Sequence, residues 1–188
     1  MHDRTALARQ ERAEFVDLLD DLTPQQWDAP TLCSEWRVRH VVAHVFSYGE
    51  LSGPEVARRL SRGRFRLDRI NQICLAELAG RAPAELTALA RRCVEPRGLA
   101  AGFRGAIALV DGMIHQQDIR RPLGLPRTIP PERLISALEF AKSSPAIHGF
   151  RHRRGLRMVA TDLGWSVGTG PEVTGTGEAC CWPSPAAR

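Results

Sequence analysis

Asp111-Gly112-Met113-Ile114-His115-Gln116-Gln117-Asp118-Ile119-Arg120-Arg121 lies within a segment that reads as one helix from about Leu99 to Arg120. Pro122-Leu123-Gly124 ends it. On a helix Asp111 and His115 are one turn apart on one face, and Asp118 follows three residues later. A carboxylate and an imidazole so placed can hold one divalent metal if another helix supplies a third donor. His44 is the candidate, since it sits among Val41, Val42, Val45 and Phe46 on a stripe with helical spacing. Two histidines, one carboxylate and an open fourth position form a catalytic rather than a structural zinc arrangement. The same residues also fit a plain core histidine, with Asp111 and Asp118 as cap or salt-bridge groups, because D-x-x-x-H is short and common. His40 and His44 make another pair four apart, but His40 follows Arg39 at the stripe's edge and reads as a surface residue.

Outward from this helix, nearly everything before residue 145 is helical in pattern. Leu7, Phe15, Leu18, Leu19 and Leu22 recur at helical spacing over residues 4–22. Thr23-Pro24 then supplies an N-cap and a first-position proline for a short turn ending near Trp27. After a loop over 28–35, a second helix is predicted over 36–51, with Ser52-Gly53-Pro54 as its stop. A third region, 64–94, carries Leu67, Ile70, Ile73, Cys74 and Leu78, breaks between Gly80 and Pro83, and resumes with Leu86, Leu89 and Ala90. A last helix over 131–142 follows Pro130-Pro131. Four principal helices with short connections predict a mainly α fold, an antiparallel helical bundle. Beyond Pro145, residues 157–162 and 165–167 read as two short strands around Leu163-Gly164, and glycines punctuate the rest. The expected domains are a helical bundle over 1–145 and a small β-containing appendage over 146–188.

Composition narrows the classes. At 43% hydrophobic and 25% charged, the chain is ordinary globular material, which excludes disorder, collagen and a disulfide-dense scaffold. No apolar run approaches the ~20 residues of a membrane span. The start MHDRTALARQERAEF carries charges where an export signal needs an apolar core, so a cytoplasmic location is expected. Five cysteines without a C-x-x-C pair argue against a cysteine zinc knuckle or a redox dithiol, and Cys33, Cys74 and Cys93 read as packing residues. The net charge of +5 is uneven, since the first fifty residues are net acidic and the remainder strongly basic. Its densest run, Arg151 to Arg157, would suit nucleic acid or an acidic ligand, but a basic segment alone specifies nothing and reads as a solvated linker.

Longer motifs are more specific than the three donors. Thr31-Leu32-Cys33-Ser34-Glu35-Trp36-Arg37-Val38-Arg39-His40-Val41-Val42-Ala43-His44 resembles the T-x-C-x-x-W-x-V-x-D-x-x-A-H segment of the mycothiol-dependent maleylpyruvate isomerase family. His115-Gln116-Gln117-Asp118-Ile119-Arg120-Arg121-Pro122-Leu123-Gly124 resembles that family's H-G-Q-D-I-R-R-P-L-G, and Leu22 to Trp27 matches as well. The likeness extends over residues 5–178.

The resemblance implies a DinB-like four-helix bundle holding a divalent metal between helices, zinc first, with nickel, iron or manganese as alternatives. It implies His44, Asp111 and His115 as ligands, and mycothiol as a co-substrate that the metal activates as thiolate for isomerase or S-transfer chemistry. Asp111 stands where the family usually has Glu, and His40 where Asp is common. Arg120 and Arg121 are candidates to hold a small acidic or electrophilic substrate, with capping of the helix C-terminus as the competing role. Asp118 is expected to act on His115 only indirectly, because both lie on one helix, and a salt bridge to Arg121 fits equally. The family continues beyond the equivalent of Trp165 to Gly168 into a domain that closes the active site. Here Cys180-Cys181-Trp182-Pro183-Ser184-Pro185 departs from that pattern, so the appendage is expected to be truncated and its end to add little to the core. A metal-dependent thiol enzyme is the first expectation. The alternative is a non-catalytic metal- or small-ligand-binding bundle, possible as a homodimer; nucleic-acid binding ranks last and no membrane partner is expected.

Overall fold

The structure, a computed structural model, describes residues 3–78, 80–143 and 155–181. Its contacts group Asp3–Pro126 as one unit and the residues from Arg127 as another. The fold is mainly helical with a small three-stranded sheet towards the C-terminus. Among the described residues, no helix is long and apolar enough to cross a membrane.

The first unit holds α1 (Arg4–Asp21), α2 (Val38–Phe46), α3 (Gly53–Arg62), α4 (Leu67–Leu78), α5 (Pro83–Arg92) and α6 (Ala106–Leu123). Asp3 starts α1 as its N-cap, its carboxylate accepting from the Thr5 backbone at 3.0 Å. Helix α2 is the centre of packing, in contact with α4, α5 and α6, while α1 lies along α5 and α6. Val38, Val41, Val42, Ala43 and Phe46 of α2 are fully buried, and the Phe46 ring meets Phe15 of α1 edge-on at 5.4 Å. Leu18, Leu19, Leu86, Leu89 and Ile119 complete this core.

The four principal helices expected here are six shorter ones, and each departure has a local cause. Helix α2 ends at Phe46 instead of running to 51: the Gly49 backbone N–H turns back to the Phe46 carbonyl at 3.1 Å. Residues 53–62, unassigned in the sequence, form α3, opened by Ser52, whose backbone N–H and hydroxyl both donate to the Glu55 carboxylate, with Pro54 in the first turn. Helix α6 begins at Ala106, not near Leu99. Gly98–Ala101 is a separate short turn, and Phe103, Arg104 and Gly105 all take left-handed backbone before the helix starts. Gly105 is required there, since its φ is +83° and a Cβ would lie 3.0 Å from Thr5 Cα of α1. At its other end α6 runs on past Arg120, through Pro122 to Leu123, and Gly124 caps it at φ +66°.

The second unit contains α7 (Pro131–Ala141), β1 (Arg157–Ala160), β2 (Trp165–Gly168), β3 (Glu172–Gly175) and α8 (Gly177–Cys181). Helix α7, grouped with the earlier helices in the 1–145 expectation, is thus described with the sheet, where it packs on α8. The predicted hairpin is present: β1 and β2 pair antiparallel from Arg157↔Gly168 to Ala160↔Trp165. Strand β3 was not anticipated. It pairs parallel to the far side of β1, giving the order β2-β1-β3. The chain reaches that side only because Gly168 and Gly170, both at positive φ, pass within side-chain distance of the Leu156 and Gly155 carbonyls. Trp165 donates its indole N–H to Glu139 of α7 at 2.8 Å. The expectation that the chain from Cys180 adds little to the core fails at Cys181, which is buried in α8; residues 182–188 lie outside the described residues. Of the basic run, 151–154 also lie outside, and Arg157 pairs with Glu172 at 3.1 Å.

A Cβ added at Gly49 would fall inside van der Waals contact of Cys93 Sγ and 2.8 Å from its Cβ. Gly49→Ala is therefore expected to lower stability by about 1–3 kcal/mol, as overpacking does. Thermal melts of Gly49→Ala with and without Cys93→Ala check this: the second change should recover part of the loss, and strict additivity would contradict the contact.

Candidate metal centre

Packing of α2 on α6 turns the polar residue of each apolar stripe toward the other. His44 lies near the end of α2, and Asp111 and His115 lie one turn apart along α6. Asp111 Oδ1 is 3.7 Å from His44 Nε2 and 3.5 Å from His115 Nε2. All three donor atoms are within 4.8 Å of one another, and the two imidazole rings meet at 5.0 Å and 83°. Donors held ~2.0–2.2 Å from a tetrahedral ion stand ~3.3–3.6 Å apart, so this donor set fits a divalent metal in spacing and in chemistry. Asp111, though one methylene shorter than Glu, still reaches between both histidines.

The three groups are coupled electrically. Burial pushes the Asp111 carboxyl up, but His115 and then His44 outweigh it and bring it down to about 2. Burial pushes His115 down, but Asp111 first, then hydrogen bonds to Asp118 and Cys33, raise it to about 10. Asp111 and His115 are thus an ion pair at neutral pH. Arg12 of α1, 1% exposed, adds positive charge nearby: burial lowers its pKa and Asp111 draws it back up. Its guanidinium donates to the Cys93 carbonyl at 2.7 Å and lies 4.7 Å over the Phe46 ring.

Asp118 corrects the sequence expectation. Its Oδ2 lies 3.0 Å from His115 Nδ1, a direct hydrogen bond between residues three apart on one helix. Asp118 is fully buried, so its carboxylate turns back along the helix to the ring. Cys33 donates its thiol to the same Oδ2 at 3.0 Å and stands 3.8 Å from His115 Nδ1. The loop carrying Cys33 is tied to α6 through backbone as well. Pro122 has no N–H for the Asp118 carbonyl four residues earlier, and Leu32 N–H occupies that carbonyl at 3.1 Å. Trp36, at the other end of the loop, packs on His44 with centroids 5.1 Å apart.

Other expected residues stand elsewhere. His40 Nδ1 accepts from the Arg37 backbone at 3.2 Å and so caps α2, the task an Asp would perform at this position. Arg120 donates to Gln116 at 3.1 Å, and Gln116 donates to Glu11 of α1 at 2.7 Å, so Arg120 is turned onto the α1 side. Arg121 is exposed in the last turn of α6, where a cation suits the helix dipole. Cys93 has cationic neighbours in sequence, but it is buried and its thiol is pushed up, as is that of Cys74. Cys33 and Trp36 are the site residues that spacing missed, because a loop has no periodicity. Their only signal was their place in one motif with His44.

The family described as the mycothiol maleylpyruvate isomerase N-terminal domain matches residues 8–106. That span includes Cys33, Trp36 and His44 and stops short of Asp111 and His115. Among solved structures, a histidine-to-alanine mutant of the mycothiol-dependent maleylpyruvate isomerase is similar in fold, with a TM-score of 0.51 and 12% identity. The similarity covers 95% of this chain and 85% of that one. No curated protein matches. With the family matched over more than half its length, this chain belongs to the mycothiol maleylpyruvate isomerase N-terminal domain family.

Proposed function

We propose that the chain is a mycothiol-dependent enzyme, an isomerase or S-transferase, whose divalent metal is held by His44, Asp111 and His115. The observation that carries this reading is the approach of two imidazole Nε2 atoms to one carboxylate oxygen, at 3.7 and 3.5 Å. Family membership supports mycothiol as the thiol, and the packing of α1, α2, α6 and the α4–α5 pair supports a DinB-like helical frame. A bound divalent ion, zinc in first place and nickel, iron or manganese with the same donors, would hold a thiol sulfur deprotonated at neutral pH. The chain's own residues prepare for that. Asp111 stays ionised, His115 gives up its proton when its Nε2 becomes a donor, and the buried charge of Arg12 raises the local potential in favour of an anionic ligand. A small acidic or electrophilic substrate and a cytoplasmic setting belong to the same proposal. One observation favours the second reading, a non-catalytic metal-binding bundle: Arg120, the candidate substrate cation, is engaged with Gln116.

Metal analysis and a mycothiol-dependent assay with a maleyl-type substrate test the reading together. His44→Ala and His115→Ala are expected to abolish stoichiometric metal and turnover, whereas His40→Ala keeps both. Metal retained by both site variants would end the proposal. Stoichiometric metal in the parent with no turnover under mycothiol would favour the second reading.

Proton release supplies another test. His115 is protonated at pH 7 when its folded pKa is about 10, so metal binding must expel that proton. Apparent metal affinity therefore rises with pH up to that range. Calorimetric titrations in two buffers of different ionisation heat should give about one proton released per metal at pH 7; no release would contradict the ion pair.

A further inference from the structure

We infer that Asp118 and Cys33 are positioning residues for His115, and that the loop from Thr31 to Trp36 is the template that sets both histidines. The inference rests on the metal-centre reading above and assigns work to residues outside the three donors. His44 and His115 are held in different ways. His44 Nδ1 has no hydrogen-bond partner among the described residues, and its ring is braced by Trp36. His115 has its Nδ1 on Asp118 Oδ2 at 3.0 Å. That bond keeps the Nδ1 proton in place and leaves Nε2, which faces Asp111, as the nitrogen that gives up its proton to become a donor.

Cys33 fixes the aim of the carboxylate. Its thiol donates to the same Oδ2 that receives His115, at 3.0 Å. The loop has little freedom to move the thiol. Thr31 N–H donates to the Trp36 carbonyl at 3.1 Å, Trp36 N–H to the Cys33 carbonyl at 3.0 Å, and Thr31 Oγ1 to the Trp36 carbonyl at 2.9 Å. Leu32 N–H, docked on the carbonyl that Pro122 leaves open, pins this closed loop to Asp118 itself. Trp36 and Cys33 therefore reach His44 and His115 from one rigid piece of chain. On this basis Cys33 is neither a nucleophile nor a ligand; it acts through Asp118.

The test uses full-length Asp118→Asn, Asp118→Ala, Cys33→Ser and Cys33→Ala with two readouts. One is zinc affinity by competition with a chromophoric chelator, together with the absorption spectrum of the cobalt form. The other is the Nδ1–H proton of His115, whose downfield shift and slow exchange report its bond to Asp118 without any metal. Expected are stoichiometric metal in every variant, affinity weakened about 10–100-fold in Asp118→Ala, and a smaller loss in Cys33→Ala. Asp118→Asn, which keeps an acceptor oxygen, should recover part of the loss, and cobalt spectra should lack thiolate charge transfer throughout. Metal-free parent should show a downfield, slowly exchanging Nδ1–H of His115, and Asp118→Ala should lose that signal. If Asp118→Ala fails to fold, Asp118→Asn and Cys33→Ala carry both readouts. Parent-like affinity and Nδ1–H signal in the Asp118 variants would overturn the inference while leaving the metal reading intact. Thiolate charge transfer in the parent, or turnover lost in Cys33→Ala with affinity unchanged, would also overturn it. A parent that binds no metal fails the metal-centre reading separately, and the Nδ1–H measurement still decides the role of Asp118.

Discussion

Helix α2 has nine residues, and most of them are apolar enough that it can persist only by burying almost its whole surface. It does so by lying against α4, α5 and α6 at once, with Val38, Val41, Val42, Ala43 and Phe46 removed from water. That demand fixes which way His44 points. The direction left for a half-polar ring is toward α6, where Asp111 and His115 stand one turn apart. Burial of five side chains thus places a sixth. Large-to-small changes along this stripe would loosen the core and move His44 together.

Charge is distributed to suit this packing. Glu11, Arg12, Gln116 and Asp118 are all buried, a costly set unless each group is met by another. Gln116 donates to Glu11, Arg12 uses a backbone carbonyl and an aromatic face, and Asp118 receives both His115 and Cys33. The α1–α6 seam and the candidate centre are consequently neighbouring polar networks on two faces of α6. Arg12 links them by reaching Asp111 through its field.

The donors were legible in the sequence because helices are periodic. A carboxylate and a histidine four apart, facing a histidine on an apolar stripe, can be read from spacing, and the structure brings those three side chains together. The partners of His115 were not legible. Asp118 is three residues from His115, and spacing does not say whether a side chain turns back to its neighbour or outward to Arg121. Cys33 lies in a loop, and its placement depends on a backbone bond from Leu32 that exists because residue 122 is proline. Helix α3 was hidden by its charge: Arg58, Arg59 and Arg62 leave only Val56 and Leu60 as large apolar residues, and its anchor is the buried Arg59 on Glu77 at 2.5 Å. Strand β3 was hidden among glycines, since its parallel pairing comes from the turn at Gly168 and Gly170 and not from alternation.

X-ray absorption of the metal-loaded protein tests the central claim most directly, because it counts the atoms bound to the ion and separates nitrogen and oxygen from sulfur. Expected is a shell at ~2.0–2.2 Å with two imidazole nitrogens and a carboxylate oxygen, and no sulfur at ~2.3 Å before a thiol is added. A protein sulfur in that shell, or a shell with one imidazole, would contradict it. The ion would then sit between Cys33, Asp118 and His115, the other cluster of donors among the described residues, and not between His44, Asp111 and His115.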